Sequence, residues 1–134
     1  MNILLDTHIA IWALNDSEEL SEKAREIILD SNNTVYYSTA SVWEVCLKHA
    51  RRPEDIPFDE KEFSSECVNA GYVPLGIRDK HILAIKTLSR PDNAKEHNDP
   101  FDRLLLAQAK VENLSFMTHE ELIADYQEKC IISV

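Results

Sequence analysis

The sequence has no long apolar run, only three cysteines, and too few basic residues to balance its acids. No apolar stretch approaches the roughly 20 residues that a helix needs to cross a bilayer. The N-terminus also lacks the positively charged start and long apolar segment of a signal peptide. Cys46, Cys67 and Cys130 are odd in number and lack metal-ligand spacing, which is typical of reduced thiols. These absences predict a cytoplasmic protein that makes no use of a membrane.

Basic residues number 14 against 24 acidic ones, and the formal net charge is −10. This balance argues against a surface that coats nucleic acid, because such a surface is basic. It does not exclude a nuclease, whose cleavage site can be an acidic cluster filled by divalent metal. It also suits a partner with a basic segment. A length of 134 residues and an ordinary hydrophobic fraction of 44% predict a single domain, residues 1–134.

The segment 2–8 organises the predicted fold. Ile3, Leu4 and Leu5 form an apolar run without polar alternation, as in a parallel strand buried on both faces. The run ends at Asp6, and in open α/β sheets the binding crevice lies beyond the carboxyl ends of the strands. Asp6 is equally well explained as the N-cap of the next helix.

The remaining pattern predicts the order β-α-α-β-α-α-β-α-α-β-α-β. We expect an α/β fold with a parallel sheet of about five strands, right-handed crossovers and helices on both faces. Pro74 places the third strand at an edge, and Ile131 and Ile132 form a short last strand. Residues 78–88 are predicted to form one helix with Ile82, Leu83 and Ile85 facing inward.

Glu44 lies inside an apolar helical run, residues 42–48. A buried carboxylate is costly unless it is paired or bound to metal, which favours a functional role. The alternatives are an exposed stripe on the helix or an ion pair with Lys48, four residues later.

Three further acids occur at helix starts. Asp99 and Asp102 lie on one side of a first helical turn that also contains Pro100, and Glu120 follows a strand. Each is also a common residue for a cap or a first turn. In a parallel sheet, however, they can converge with Asp6 and Glu44 at one edge. Clustered carboxylates repel unless they are protonated or filled by metal, and oxygen ligands suit Mg²⁺ or Mn²⁺.

With these residues in place, the chain resembles PIN-domain ribonucleases, specifically the VapC-type toxins of type II toxin–antitoxin systems. The matching segments are residues 4–8 with Trp12, then 38–44, 99–109 and 116–118, in the family's order. The chain departs from the family at Thr118-His119-Glu120, where Thr-x-Asp is usual. The connection 89–98 is also longer than is usual in this subgroup.

The resemblance implies a PIN-like three-layer sandwich and a metal-dependent endoribonuclease that hydrolyses RNA phosphodiester bonds. It also implies a cognate antitoxin protein and a homodimer. It assigns the catalytic acids to Asp6, Glu44 and Asp102. We expect these three to hold Mg²⁺ or Mn²⁺ with Asp99 and Glu120 as direct or water-mediated helpers.

Residues outside the acidic cluster complete the predicted site. A hydroxyl of Thr7 or Thr118 is expected to orient a carboxylate. RNA should approach over basic side chains near the acids, namely Lys48, Arg51, Arg52 and Arg103. Each of these basic residues is equally acceptable as part of a solvated helix face.

Three other readings compete with this one. A phosphotransfer receiver domain needs adjacent acids after the first strand, and this chain has only Asp6 there. A haloacid-dehalogenase-like phosphatase needs Asp-x-Asp, but position 8 is His8. A non-catalytic PIN fold that binds RNA or protein remains as the alternative function.

Overall fold

The computed structural model describes all residues from Met1 to Val134 and contains five strands and seven α-helices. In chain order they are β1 (Asn2–Leu5), α1 (Thr7–Leu14), α2 (Glu22–Leu29), β2 (Thr34–Ser38), α3 (Thr39–Arg51), α4 (Glu60–Asn69), β3 (Val73–Leu75), α5 (Asp79–Leu83), α6 (Pro100–Glu112), β4 (Ser115–Thr118), α7 (Glu121–Ala124) and β5 (Ile131–Ser133). Two 3-10 turns, Pro53–Asp55 and Ile85–Thr87, follow α3 and α5. The predicted order of strands and helices is confirmed.

The five strands form one parallel sheet in the order β3-β2-β1-β4-β5. β1 is central, with Ile3 opposite Val35 on one side and Ser115 on the other. β3 and β5 are the edges, so the predicted edge position of Pro74 is confirmed. The strand order changes direction between β1 and β4, which places the crevice beyond the carboxyl ends of these two strands.

Helices bury both faces of β1. Ile3 and Leu5 belong to one buried cluster, which includes residues of α1, α2, α3 and α4. Leu4 belongs to the other, which is built mainly from α6 and the segment after β4. Successive residues of a strand point to opposite faces. Because helices cover both faces of the sheet here, all three side chains are fully buried. The double coverage explains why β1 is apolar throughout.

The predicted helix over residues 78–88 is wrong in extent and in the orientation of Ile82 and Leu83, whereas Ile85 packs against the core as predicted. α5 ends at Leu83, and a 3-10 turn follows. Ile82 is 53% exposed and Leu83 76% exposed, whereas His81 is fully buried. His81 Nδ1 accepts from the Arg78 N–H at 3.0 Å, and Nε2 lies 2.9 Å from Glu112 Oε1 on α6. These hydrogen bonds turn the histidine toward α6 and the apolar pair outward.

No helix of the structure combines the length and the apolar character that spanning a membrane requires. The three cysteines form no disulfide in the structure, and Cys67 is buried.

Candidate active site at the carboxyl edge of the sheet

Asp6 follows β1 directly and is 4% exposed. Its carboxylate accepts hydrogen bonds from the Thr7 N–H and from the Thr118 hydroxyl, both at 2.7 Å. It is therefore the N-cap of α1 and also a buried acid at the end of the central strand. Burial, followed by the nearby charges of Glu44 and Asp99, raises the pKa of Asp6 to about 6 against the lowering effect of its hydrogen bonds.

Glu44 lies on the face of α3 that packs against the sheet and is 3% exposed. Its Oε2 atom pairs with Lys48 Nζ at 2.7 Å, and its Oε1 atom is buried with no hydrogen-bond partner. The exposed-stripe alternative is wrong for Glu44, although the neighbouring Trp43 is 52% exposed. The predicted pairing of Glu44 with Lys48 and its predicted burial are both present. The Oε1 atom of Glu44 remains without a hydrogen-bond partner.

Asp102 lies in the first turn of α6. Burial is the largest cause of its raised pKa, and the charges of Asp6, Asp99, Glu44 and Glu120 add to it in that order, giving a value of about 8. Asp6, Glu44 and Glu120 come from other parts of the chain, and Asp99 is three residues from Asp102. The charges of all four acids act on the Asp102 carboxyl group.

Asp99 and Glu120 also serve as N-caps of helices. Asp99 caps α6 by accepting from the N–H groups of Phe101 and Asp102 at 2.9 and 3.1 Å. Glu120 caps α7 by accepting from the Leu122 N–H at 3.1 Å. Both side chains are exposed. Their placement suits a helper role better than a buried ligand role.

The two threonines differ in what their hydroxyls contact. Thr118 donates to Asp6 Oδ2, so its hydroxyl orients a carboxylate. The Thr7 hydroxyl lies 2.8 Å from the Ser41 hydroxyl, and only its backbone N–H bonds Asp6. The side chain of Thr7 thus ties α1 to α3 and does not contact the acids by a hydrogen bond.

The donor chemistry of the site fits Mg²⁺ or Mn²⁺. The available ligands are carboxylate oxygens, and Glu44 Oε1 is a buried acceptor without a partner. No group of three or more acidic, histidine or cysteine side chains is arranged so that it could hold an ion. Asp6, Glu44 and Asp102 are each engaged with protein donors, so metal binding would require their side chains to turn.

Sequence reasoning missed His97, which lies in the long connection before α6. It is 8% exposed. Its Nδ1 atom lies 2.9 Å from the Tyr126 hydroxyl, and its Nε2 atom lies 3.2 Å from Asp102 Oδ2. The only signal in the sequence is its position two residues before Asp99. Burial lowers the pKa of His97, which favours its neutral form.

The predicted basic residues separate into two groups. Lys48, Arg51 and Arg52 line an open cavity of about 610 Å³ that also contains His8 and Trp12. Arg103 lies next to Asp102 on α6, away from this cavity. Arg52 is 3.8 Å from Asp55, and both side chains are mostly exposed.

Comparison with known proteins agrees with this architecture. The PIN domain family model matches residues 3–129. A VapBC2 structure from Rickettsia felis, bound to a DNA fragment from the promoter, is similar at a TM-score of 0.63 and 14% identity, covering 100% of this chain and 98% of that chain. FitAcB from Neisseria gonorrhoeae is similar at a TM-score of 0.51 and 21% identity, covering 88% of this chain and 87% of that chain. At these identities the likeness shows a shared fold. No curated protein matches the sequence.

Proposed function

The chain belongs to the PIN domain family, and on that premise we propose that it is a metal-dependent endoribonuclease, the toxin of a toxin–antitoxin pair. The observation that carries the proposal is the convergence of Asp6, Glu44 and Asp102 at the carboxyl edge of the sheet. Two of them have strongly raised pKa values, and the third has a buried oxygen without a partner. Such an excess of buried negative charge is what a divalent cation neutralises.

Asp6, Glu44 and Asp102 would hold Mg²⁺ or Mn²⁺, with Asp99 and Glu120 contributing through water. A divalent cation bound there would lower the pKa of the attacking water and stabilise negative charge on the phosphate. The resulting reaction would be hydrolysis of an RNA phosphodiester bond.

The protein's own groups would prepare this site in three ways. Thr118 and the Thr7 N–H fix the carboxylate of Asp6. Lys48 neutralises one oxygen of Glu44 and leaves the other free. His97 contacts one oxygen of Asp102, and its second nitrogen is held by Tyr126. These contacts would fix the starting position of each of the three carboxylates.

The RNA would approach over Lys48, Arg51 and Arg52, with Arg103 contributing from the first turns of α6. These side chains give local positive charge in a protein of net charge −10. Phosphate contacts of this kind provide affinity that depends strongly on salt.

We extend the proposal to two protein partners, a cognate antitoxin and a second copy of this chain. Large apolar side chains remain exposed on the single chain, including Trp43, Leu47, Ile82 and Leu83. Exposed apolar side chains of this size fit burial against another protein. Light scattering at increasing concentration should give the mass of a dimer, and a constant monomer mass would reject the homodimer.

The test of function is cleavage of single-stranded RNA with Mn²⁺ and with chelator. Wild type should cut only with Mn²⁺, and Asp6→Asn, Glu44→Gln and Asp102→Asn should each lose at least about a hundredfold in rate, since each removes a charged ligand. Full activity in one variant removes that residue from the mechanism.

A non-catalytic PIN fold that binds RNA or protein is the second candidate. It is favoured by the absence of any three ligand side chains already arranged for an ion. The same assay separates the two functions, because a binding module would retain RNA affinity and release no cleaved product under either condition.

A further inference from the structure

We propose that the cavity between α1 and the end of α3 is a nucleotide subsite, in which an unpaired base of single-stranded RNA stacks on Trp12 and its phosphates contact Arg51 and Arg52. The proposal rests on the proposed RNA-cleaving function and specifies its substrate class. It concerns a surface separate from the acids themselves.

The lining of the cavity is cationic in an acidic protein. Lys48, Arg51 and Arg52 contribute positive charge, and Asp55 is the only carboxylate among the lining residues. The whole chain carries a net charge of −10. Lys48 is paired with Glu44, Arg52 lies 3.8 Å from Asp55, and Arg51 has no acidic partner. Cationic side chains that cluster in this way in an acidic protein favour an anionic ligand.

The cavity also has an aromatic wall. Trp12 is half-buried, packs against the core under α1, and lines the cavity with His8 and Ile11. Its ring centroid lies 6.0 Å from that of His8 and 5.6 Å from that of His119. Cationic side chains combined with a held aromatic ring are the usual composition of sites for single-stranded nucleic acid.

The position of the cavity relative to the acids is favourable. Lys48 lines the cavity and pairs with Glu44, so the two sites share one side chain. His8, also in the lining, lies two residues after Asp6. α1 carries the lining on to Asn15, which is about 10 Å further along the helix axis. A strand bound there would contact Lys48, which also contacts Glu44.

The volume of about 610 Å³ is within the usual range of small-molecule sites and accommodates one nucleotide. A duplex would not expose a base to Trp12, so the subsite selects unpaired RNA. An acidic segment of a protein is the competing occupant, because it would also match the positive charge.

Tryptophan fluorescence provides a direct readout. The chain has two tryptophans, and Trp43→Phe leaves Trp12 as the only one. In this background, carrying Asp102→Asn to prevent cleavage, a short single-stranded oligoribonucleotide should quench the emission saturably. A duplex of the same composition should quench far less. No quenching by bound single-stranded RNA would overturn the proposal.

Variants then separate stacking from charge. Trp12→Ala should weaken binding about 5- to 150-fold, and Trp12→Phe should retain most of the affinity, because base stacking on an aromatic ring contributes about 1–3 kcal/mol. Because Trp12 also packs in the core, melting curves must show that the variants are folded. Unchanged affinity in folded Trp12→Ala would overturn the stacking claim.

The phosphate contacts can be tested without disturbing the core, because Arg51 and Arg52 are exposed. Arg51→Ala with Arg52→Ala should reduce the salt slope of binding by about 1.4, since each single-strand phosphate contact contributes about 0.7. Lys61→Ala with Lys129→Ala removes the same charge at exposed residues outside the cavity lining and should leave the slope unchanged. Equal slopes in the two double variants would reject the phosphate contacts.

Two outcomes distinguish this proposal from the proposed function. If wild type cleaves RNA but Trp12 and the arginines are dispensable for binding, the subsite fails and the nuclease remains. If single-stranded RNA quenches Trp12 but wild type cuts nothing with Mn²⁺, the subsite holds and the nuclease fails. Displacement of the RNA by an oligoglutamate peptide at equal concentration would assign the cavity to acidic protein segments and overturn the proposal.

Discussion

At the scale of single residues, Asp102 is tied to the C-terminal part of the chain by two consecutive contacts. His97 Nε2 lies 3.2 Å from its Oδ2 atom, and Tyr126 holds His97 Nδ1 at 2.9 Å. The Arg90 guanidinium lies 4.8 Å from the centroid of the Tyr126 ring and packs over it. Because His97 is buried and held at both nitrogens, it is a positioning residue for Asp102.

We therefore expect His97→Ala to weaken Mn²⁺ binding about 10- to 100-fold, the usual effect of losing a group that orients a metal ligand. Tyr126→Phe should have a smaller effect in the same direction, and His97→Gln should restore part of the affinity through its amide donor. Calorimetric titration of Mn²⁺ measures this, with Tyr36→Phe as a control that changes a tyrosine on β2. If folded His97→Ala bound Mn²⁺ as tightly as wild type, His97 would contribute only to packing.

At the scale of secondary structure, local signals were sufficient where a short-range interaction decides the element. Asp99 and Pro100 predicted the start of α6, because a cap and an N1 proline act within one turn. The stretch 78–88 was mispredicted because an apolar pattern alone does not say which side meets α6. That choice depends on Glu112, which lies 31 residues after His81 in the sequence.

The cap of α6 leads to a prediction about Asp99. Asp99→Ala should lower the free energy of unfolding by about 0.5–2 kcal/mol, because two N–H groups lose their acceptor. Asp99→Asn should equal or exceed wild type in metal-free protein at pH 8, since it keeps the acceptor and removes a charge that raises the pKa of Asp6 and Asp102. Urea unfolding measures both. Equal stability of the Ala and Asn variants would show that the side-chain acceptor of the cap contributes nothing.

At the scale of the whole molecule, the sequence predicted a parallel sheet and one of its edges, because the strands differ in composition. The apolar run of β1 indicated a strand buried on both faces, and Pro74 indicated an edge strand, whereas the order of the other strands was not predicted. The set of acids could be assembled because the carboxyl ends of parallel strands meet at one edge. The pair of Glu44 with Lys48 and the contact of Thr118 with Asp6 were among the predicted alternatives. The contact of His97 with Asp102 was not predicted, because it depends on how the connection before α6 packs against Tyr126.

The buried acids should also make the stability of the metal-free protein depend on pH. The pKa of Asp6 is raised to about 6 and that of Asp102 to about 8, so the folded state holds these protons more tightly than the unfolded state. The stability that they contribute is complete below pH 3.8 and is lost as the pH rises through 6 and 8. The lowered pKa values of His8 and His97 act in the opposite direction as the pH falls through 6.5 and below.

Between pH 6.5 and 8 the effect of Asp102 should therefore dominate. We expect the melting temperature of metal-free wild type to fall across this interval and that of Asp102→Asn to stay nearly constant. Calorimetry in chelator at a fixed ionic strength measures both proteins. A parallel decline in wild type and variant would place the titrating group elsewhere.

The most direct test of the account follows Mn²⁺ occupancy and RNA cleavage in the same samples. Electron paramagnetic resonance gives the bound fraction of Mn²⁺ during a titration, and a labelled single-stranded RNA gives the rate. The account predicts that the rate rises in proportion to occupancy in wild type, and that Asp102→Asn loses both together. Cleavage at the full rate in chelator, or full Mn²⁺ occupancy in Asp102→Asn, would contradict it.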